Sequence, residues 1–200
     1  MALKLKYAYF AYRLIGLTVA QRGRVVSNGW TAALERTSQV GADRHSHIRM
    51  GRRVYIKRGV NIEALDGGQI VIGSDTFINR DCSIVARKAI RIGQNCLIGD
   101  GVSIYDHNHR TDDPDTPYRL QGYSSRMIRI GDNVWIGAKS FIGAGVSIGD
   151  GAVIGAHTIV TKDVPPRTVA YGHTQLVLRP LDKHEQRTPA PMPPIEMNAR

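Results

Sequence analysis

Residues 130–165 read IGDNVW IGAKSF IGAGVS IGDGAV IGAHTI VTKDVP, six hexads without a slip. The first position is Ile130, Ile136, Ile142, Ile148, Ile154 and Val160, and the second is Gly five times before Thr161. The fifth is Val134, Ser140, Val146, Ala152, Thr158 and Val164, each small or β-branched. A helix repeats its apolar face every ~3.6 residues and a plain strand every ~2, so neither explains the spacing. A period of six suits a short strand plus a corner, with the first and fifth positions turned inward. Gly at the second position permits a sharp change of direction. Three strands then close a triangular coil of about 18 residues, and coils stack at about 4.8 Å. Each coil buries its apolar side only against its neighbours. The expected fold is an all-β parallel β-helix.

Upstream the same register passes through Ile56, Ile62, Ile72, Ile78, Ile84, Ile92, Ile98 and Ile104, beginning weakly near Ile48. Leu65-Asp66-Gly67-Gly68 reads as an expanded corner, and a two-residue slip separates Ile84 from Ile92. Three inward stacks are predicted: Ile72, Ile92, Ile130 and Ile148; Ile78, Ile98, Ile136 and Ile154; Ile84, Ile104, Ile142 and Val160. The β-helix domain is expected over residues 48–179, with Pro165-Pro166 ending the regular ladder and residues 167–179 adding a final strand or cap. Before it, residues 1–47 form a basic region. Leu3, Tyr7, Phe10, Leu14 and Leu17 mark an amphipathic helix over 1–22, and residues 23–47 an irregular cap. Residues 180–200 hold five prolines without apolar periodicity and are expected to be a disordered tail. Cys82 and Cys96 fall at fifth positions but not one coil apart, so they read as buried thiols rather than a disulfide, which suits a reducing compartment.

The formal charge is +10, and its excess is local. Residues 1–60 carry twelve Lys or Arg against Glu35 and Asp43, whereas the remaining 140 balance. Such a block suits anionic lipid, an acidic glycan or nucleotide-sugar phosphates, and a solubilising surface explains it equally well. Nucleic acid fits least, because no binding motif accompanies the charge. The N-terminal apolar run is interrupted by Arg13 and is too short to span a bilayer, so it suits a surface helix on the inner membrane face or on a partner subunit.

The largest interruption of the repeat is Arg110–Arg129, polar and Tyr-bearing, directly after Asp106-His107-Asn108-His109. Long loops on a regular scaffold commonly carry function. Strand parity turns both His107 and His109 outward, and histidine suits general-base work near neutral pH. Ordinary surface histidines would look the same in isolation; their position at the one large break favours a catalytic role.

The hexads, the long loop after a His-bearing corner, IGDNVWIG and VTKDVPP together resemble the hexapeptide-repeat sugar O-acetyltransferases, over roughly residues 70–172. The resemblance implies a left-handed coil, a homotrimer with sites between subunits, a cytoplasmic location, acetyl-CoA as donor and a sugar hydroxyl as acceptor. Surface polysaccharide is the acceptor it suggests, the basic N-terminal third adds a lipid-linked or anionic one, and no metal is expected. It puts the base on His109, with His107 as orienting group or as the base itself. Asn79 is implied at the acceptor sugar with Asp106, and Trp135 as the aromatic shield of the acyl site. Ala138 is implied as an N–H donor to the thioester oxygen, and Ala156, Thr161 and Lys162 along the pantetheine and phosphate path. The family's G-x-P-A-R element is replaced by Gly172-His173-Thr174-Gln175-Leu176, so Arg167 or Arg179 would take over its arginine contact. An amino-sugar N-acyltransferase would use the same groups. A zinc hydratase on the same coil would instead need a third histidine, His157, to converge on a metal with His107 and His109.

Overall fold

A branched apolar residue every sixth position drives the chain into a coil in which each such residue lands on its equivalent one turn later. The computed structural model describes residues 24–27 and 33–172, and in them three parallel sheets form the faces of that coil. The first face stacks Val25–Ser27, His47–Met50, Gln69–Ile72, Ala89–Ile92, Ile128–Ile130 and Ser147–Ile148. The second stacks Ala33–Leu34, Tyr55–Ile56, Phe77–Ile78, Leu97–Ile98, Trp135–Ile136, Val153–Ile154 and Val169–Ala170. The third stacks Gln39–Ala42, Asn61–Ala64, Ser83–Ala86, Ser103–Tyr105, Phe141–Ile142 and Ile159–Val160. All three predicted stacks are present in register. Their isoleucines are buried in one continuous core. Each such side chain stabilises the coil by roughly 1.5–3 kcal/mol.

The fifth position takes polar residues because the corner offers them partners. The Thr76 hydroxyl donates to the Gly93 carbonyl at 2.9 Å, and the Ser140 hydroxyl to that of Gly155 at 2.8 Å. Cys82 and Cys96 fill the same niche as free buried thiols. Burial pushes the Cys82 thiol up to about 11, which makes it a poor nucleophile at neutral pH.

The second-position glycines differ from expectation in their reason. None has a positive φ; the left-handed residue of each glycine-bearing hexad is the fourth, as at Asn133, Lys139, Gly145, Gly151 and His157. The glycine is required by close approach of adjacent coils. A Cβ on Gly137 would stand 2.4 Å from the Ala156 nitrogen. Gly137→Ala is therefore expected to destabilise the protein by about 1–3 kcal/mol, read from its urea midpoint at fixed protein concentration. An unchanged midpoint would show that the coils can part without cost.

The coil begins earlier than the isoleucine pattern suggests. Residues expected to be an irregular cap over 23–47 already supply strands to all three faces. Their inward positions are Val25, Ala33, Leu34, Ser38, Val40 and Ala42, a mixed set without an isoleucine to declare the repeat. Ladder partners in successive coils also drift closer along the chain. They lie 22 residues apart at Ile48 and Ile70, 20 at Ile70 and Ile90, and 18 at Ile130 and Ile148. Beyond Pro165-Pro166, Val169–Ala170 adds a last rung to the second face. The predicted helix over 1–22, the tail over 180–200 and Arg179 lie outside the described residues. Among the described residues, no helix is long and apolar enough to cross a membrane.

Candidate active site

The third face ends at Tyr105, and Asp106 turns into the corner between the third and first faces, fully buried. Its carboxylate accepts the backbone N–H groups of Arg87 at 2.8 Å, Lys88 at 2.7 Å and Ala89 at 2.7 Å. Its carbonyl accepts the Arg126 N–H at 2.7 Å. One residue thus pins both the departure and the return of the excursion to the coil beneath. Outside the coil, His107–His109 pairs antiparallel with Tyr123–Ser125. The far end of the loop is tied internally, with the Gln121 amide donating to the Asp113 and Thr116 carbonyls at 2.7 and 2.6 Å.

His107 sits on this anchor. Its Nδ1 lies 3.1 Å from Asp106 Oδ1, and its side chain is 13% exposed. The ring packs edge-on to Tyr105 and Tyr123. A carboxylate can only accept, so Nδ1 carries the proton and the lone pair is left on Nε2. His109 is exposed and rests on Tyr123, 4.5 Å between ring centres. No carboxylate among the described residues orients the His109 ring. Arg87 lays its guanidinium on Tyr123, 3.5 Å from the ring centre, and pairs with Asp66. The sequence had pointed to neither Arg87 nor Tyr123. Asp106, expected beside the acceptor sugar, is fully buried, with its carboxylate bonded to three backbone N–H groups and to His107.

Of the remaining candidates, Asn79, Trp135, Ala138 and Ala156 lie towards the other edge of the third face, whereas Thr161 and Lys162 follow Ile159–Val160 on the edge of Asp106, two coils on. Asn79, at the corner between the second and third faces, donates from Nδ2 to Asp100 at 3.0 Å and accepts the Arg80 N–H at 3.0 Å. Trp135 stands on the second face between Leu97 and Val153, 52% exposed. Ala138 follows at the corner, half-buried. At the corresponding hexad place elsewhere, a carboxylate one coil on takes the N–H: Asp132 takes that of Gln94 and Asp150 that of Asp132, both at 2.9 Å. Above Ala138 that place is Ala156, and among the described residues nothing accepts the Ala138 N–H. It is free to meet a developing negative charge. Ala156, Thr161 and Lys162 are exposed.

Within one chain the two groups do not meet. A strand of about four residues at ~3.3 Å each, roughly 13 Å, separates the histidine corner from the Asn79 and Ala138 corner. Among the described residues of the single chain, no three His, Cys, Asp or Glu side chains could hold a metal ion.

Two family models match the coil: "Bacterial transferase hexapeptide (six repeats)" over residues 127–162 and "Hexapeptide repeat of succinyl-transferase" over residues 69–106. Galactoside O-acetyltransferase of Escherichia coli (strain K12) is 41% identical over 122 residues, 59% of each chain. A probable acetyltransferase of Mycobacterium tuberculosis is 33% identical over 134 residues, 67% of this chain and 44% of its own. The chain thus spans less than two thirds of either relative. A hexapeptide-repeat-containing acetyltransferase of Vibrio cholerae O1 biovar eltor, solved with acetyl coenzyme A, superposes with a TM-score of 0.53 at 26% identity. That match covers 88% of this chain and 87% of the other. The repeat, its register and these matches agree: the coil of this chain is built of the hexapeptide repeat of bacterial transferases and is similar to acetyltransferases that share it.

Proposed function

We propose that this protein is an O-acetyltransferase that moves an acetyl group from acetyl-CoA to a sugar hydroxyl. The observation that carries the reading is the buried Asp106 holding His107 by Nδ1, at the one place where the coil is interrupted. His107 Nε2 takes the proton of the acceptor hydroxyl as its oxygen bonds to the thioester carbon. The Ala138 N–H of a neighbouring copy stabilises the oxygen that becomes negative. Collapse breaks the carbon–sulfur bond, and the proton held on Nε2 passes to the departing sulfur. Asn79 holds the acceptor, and Trp135 shields the acyl group. Ala156, Thr161 and Lys162, with Arg167 or Arg179, lie along the rest of the donor.

The separation of the two corners in one chain supports assembly into a homotrimer, each site built between two copies. The charge excess of residues 1–60 supports work on surface polysaccharide or lipid-linked glycan beside an anionic inner membrane surface. The test mixes the purified full chain with acetyl-CoA and matched hydroxyl and amine sugars and follows thiol release. Release with a hydroxyl acceptor is expected. Release with amines alone, or failure to bind acetyl-CoA, would refute the reading.

A further inference from the structure

On the first face the outward column runs Val26, Arg49, Val71, Arg91, Arg129 and Ser147, each the ladder partner of the next. No Asp or Glu lies on any strand of this face. Arg91 and Arg129 are direct partners, so their backbones are about 4.8 Å apart. Both are exposed, and no ion pair among the described residues engages either guanidinium. Like charges directly opposite in a ladder repel each other. Two planar forks side by side nevertheless match the oxygens of a carboxylate or phosphate.

The pair is not on a flat surface. Arg91 and Arg129 line an open groove of about 550 Å³ together with Ser147, the next rung of their column, and with Asp163, Val164 and the Pro165-Pro166 turn beyond it. Among the described residues Asp163 is the one carboxylate lining this groove, and its Oδ1 already accepts the Ser147 N–H at 2.8 Å. The groove adjoins the catalytic corner. Arg129 is three residues beyond Arg126, whose N–H bonds the Asp106 carbonyl, so the two lie within roughly 10 Å. That is within the span of a short oligosaccharide. Of the groups assigned above to the donor, Ala138 and Ala156 stand at the other edge of the third face, and Thr161 and Lys162 at the near one.

We propose that this groove is an oxyanion subsite of the acceptor, in which Arg91 and Arg129 hold a carboxylate or phosphate of an acidic glycan. The proposal rests on the transferase reading for its purpose, but its test does not need turnover. Binding to the full chain is measured by calorimetry with trigalacturonate, inorganic pyrophosphate, neutral maltotriose and acetyl-CoA. At least one anionic probe is expected to bind about tenfold or more tighter than maltotriose. A preference for trigalacturonate identifies a carboxylate source, and one for pyrophosphate a phosphate source. The double variant R91Q/R129Q should lose that binding by about tenfold or more, keep its affinity for acetyl-CoA, and melt no lower than the wild type because a repulsion is removed.

Three outcomes overturn the proposal: anionic probes that bind no better than maltotriose, a double variant that binds them like the wild type, or a loss that falls on acetyl-CoA. The last would give the arginines to the donor phosphates, since Lys162 is adjacent to Asp163 in the chain. A chain that binds the anions but releases no thiol with any sugar would retain the groove and lose the transferase reading.

Discussion

Alanine in place of His107 is expected to lower acetyl transfer by about 10²- to 10⁴-fold while leaving acetyl-CoA affinity and assembly unchanged. The two histidines of the hairpin share an aromatic neighbour, Tyr123, but not an electrostatic one. A general base needs a free lone pair aimed at its proton. Only for His107 does a fixed carboxylate decide which nitrogen has it. The ring is also held between Tyr105 and Tyr123, so little orientational freedom remains to be lost at the transition state. His109 has neither restraint, and His109→Ala should change kcat by less than about tenfold. Single-turnover rates of both variants, with acetyl-CoA binding measured separately, decide between them. A larger loss at His109 than at His107 would give the base to His109.

The fold was legible because its cause is local and repeated. Ile130, Ile136 and Ile142 lie in three different sheets, yet each is placed by the residue six before it. What the period could not show was why the glycines recur. Gly137 looks like a turn residue, but the strained backbone is at Lys139, and Gly137 is instead overhung by the next coil. Close approach between coils has no signature in a single repeat. The first coil was hidden for the opposite reason: with Ala33, Ser38 and Ala42 inside, it lacks the isoleucine that announces the others.

The candidate site was legible where chemistry breaks the repeat, and obscure where it needs tertiary neighbours. The double histidine and the loop stand out in the sequence. Strand parity made both rings equivalent, because it carries the hexad past Asp106 as if the coil continued. The chain in fact leaves the coil at Asp106, and the third position of the hexad is turned inside. Arg87 is 36 residues from Tyr123 in the chain, and only the stacking of coils brings them together. The free N–H of Ala138 did leave a trace. Its hexad has Ala at the third position, and so does the next, where the neighbouring corner carries Asp132 and Asp150.

Asp106 carries the other large effect, and two substitutions divide its duties. Asp106→Ala removes the acceptor of three N–H groups at a corner where Ala89 is buried and Lys88 reaches solvent. Each donor left dry costs about 1–3 kcal/mol, and water can reach part of the cavity, so a loss of about 3 kcal/mol or more is expected. Asp106→Asn should be milder in stability, at about 1–2 kcal/mol, because one oxygen remains. The orientation of that amide is decided by the same bonds. Oδ2 serves Lys88 and Ala89, whereas Oδ1 serves Arg87 and His107, so the remaining oxygen takes the Oδ2 place to satisfy two backbone donors rather than one. The NH2 group then faces His107 Nδ1 and can only donate. Nδ1 becomes the acceptor, the proton moves to Nε2, and the nitrogen needed as base is blocked. Transfer by Asp106→Asn should therefore fall about 10²-fold or more although the protein stays folded at neutral pH. Urea unfolding at fixed protein concentration gives the first quantity, and single-turnover transfer at saturating acetyl-CoA gives the second. An asparagine variant that is folded and near wild-type in rate would show that Asp106 merely closes the corner, and that the tautomer of His107 is set by something else.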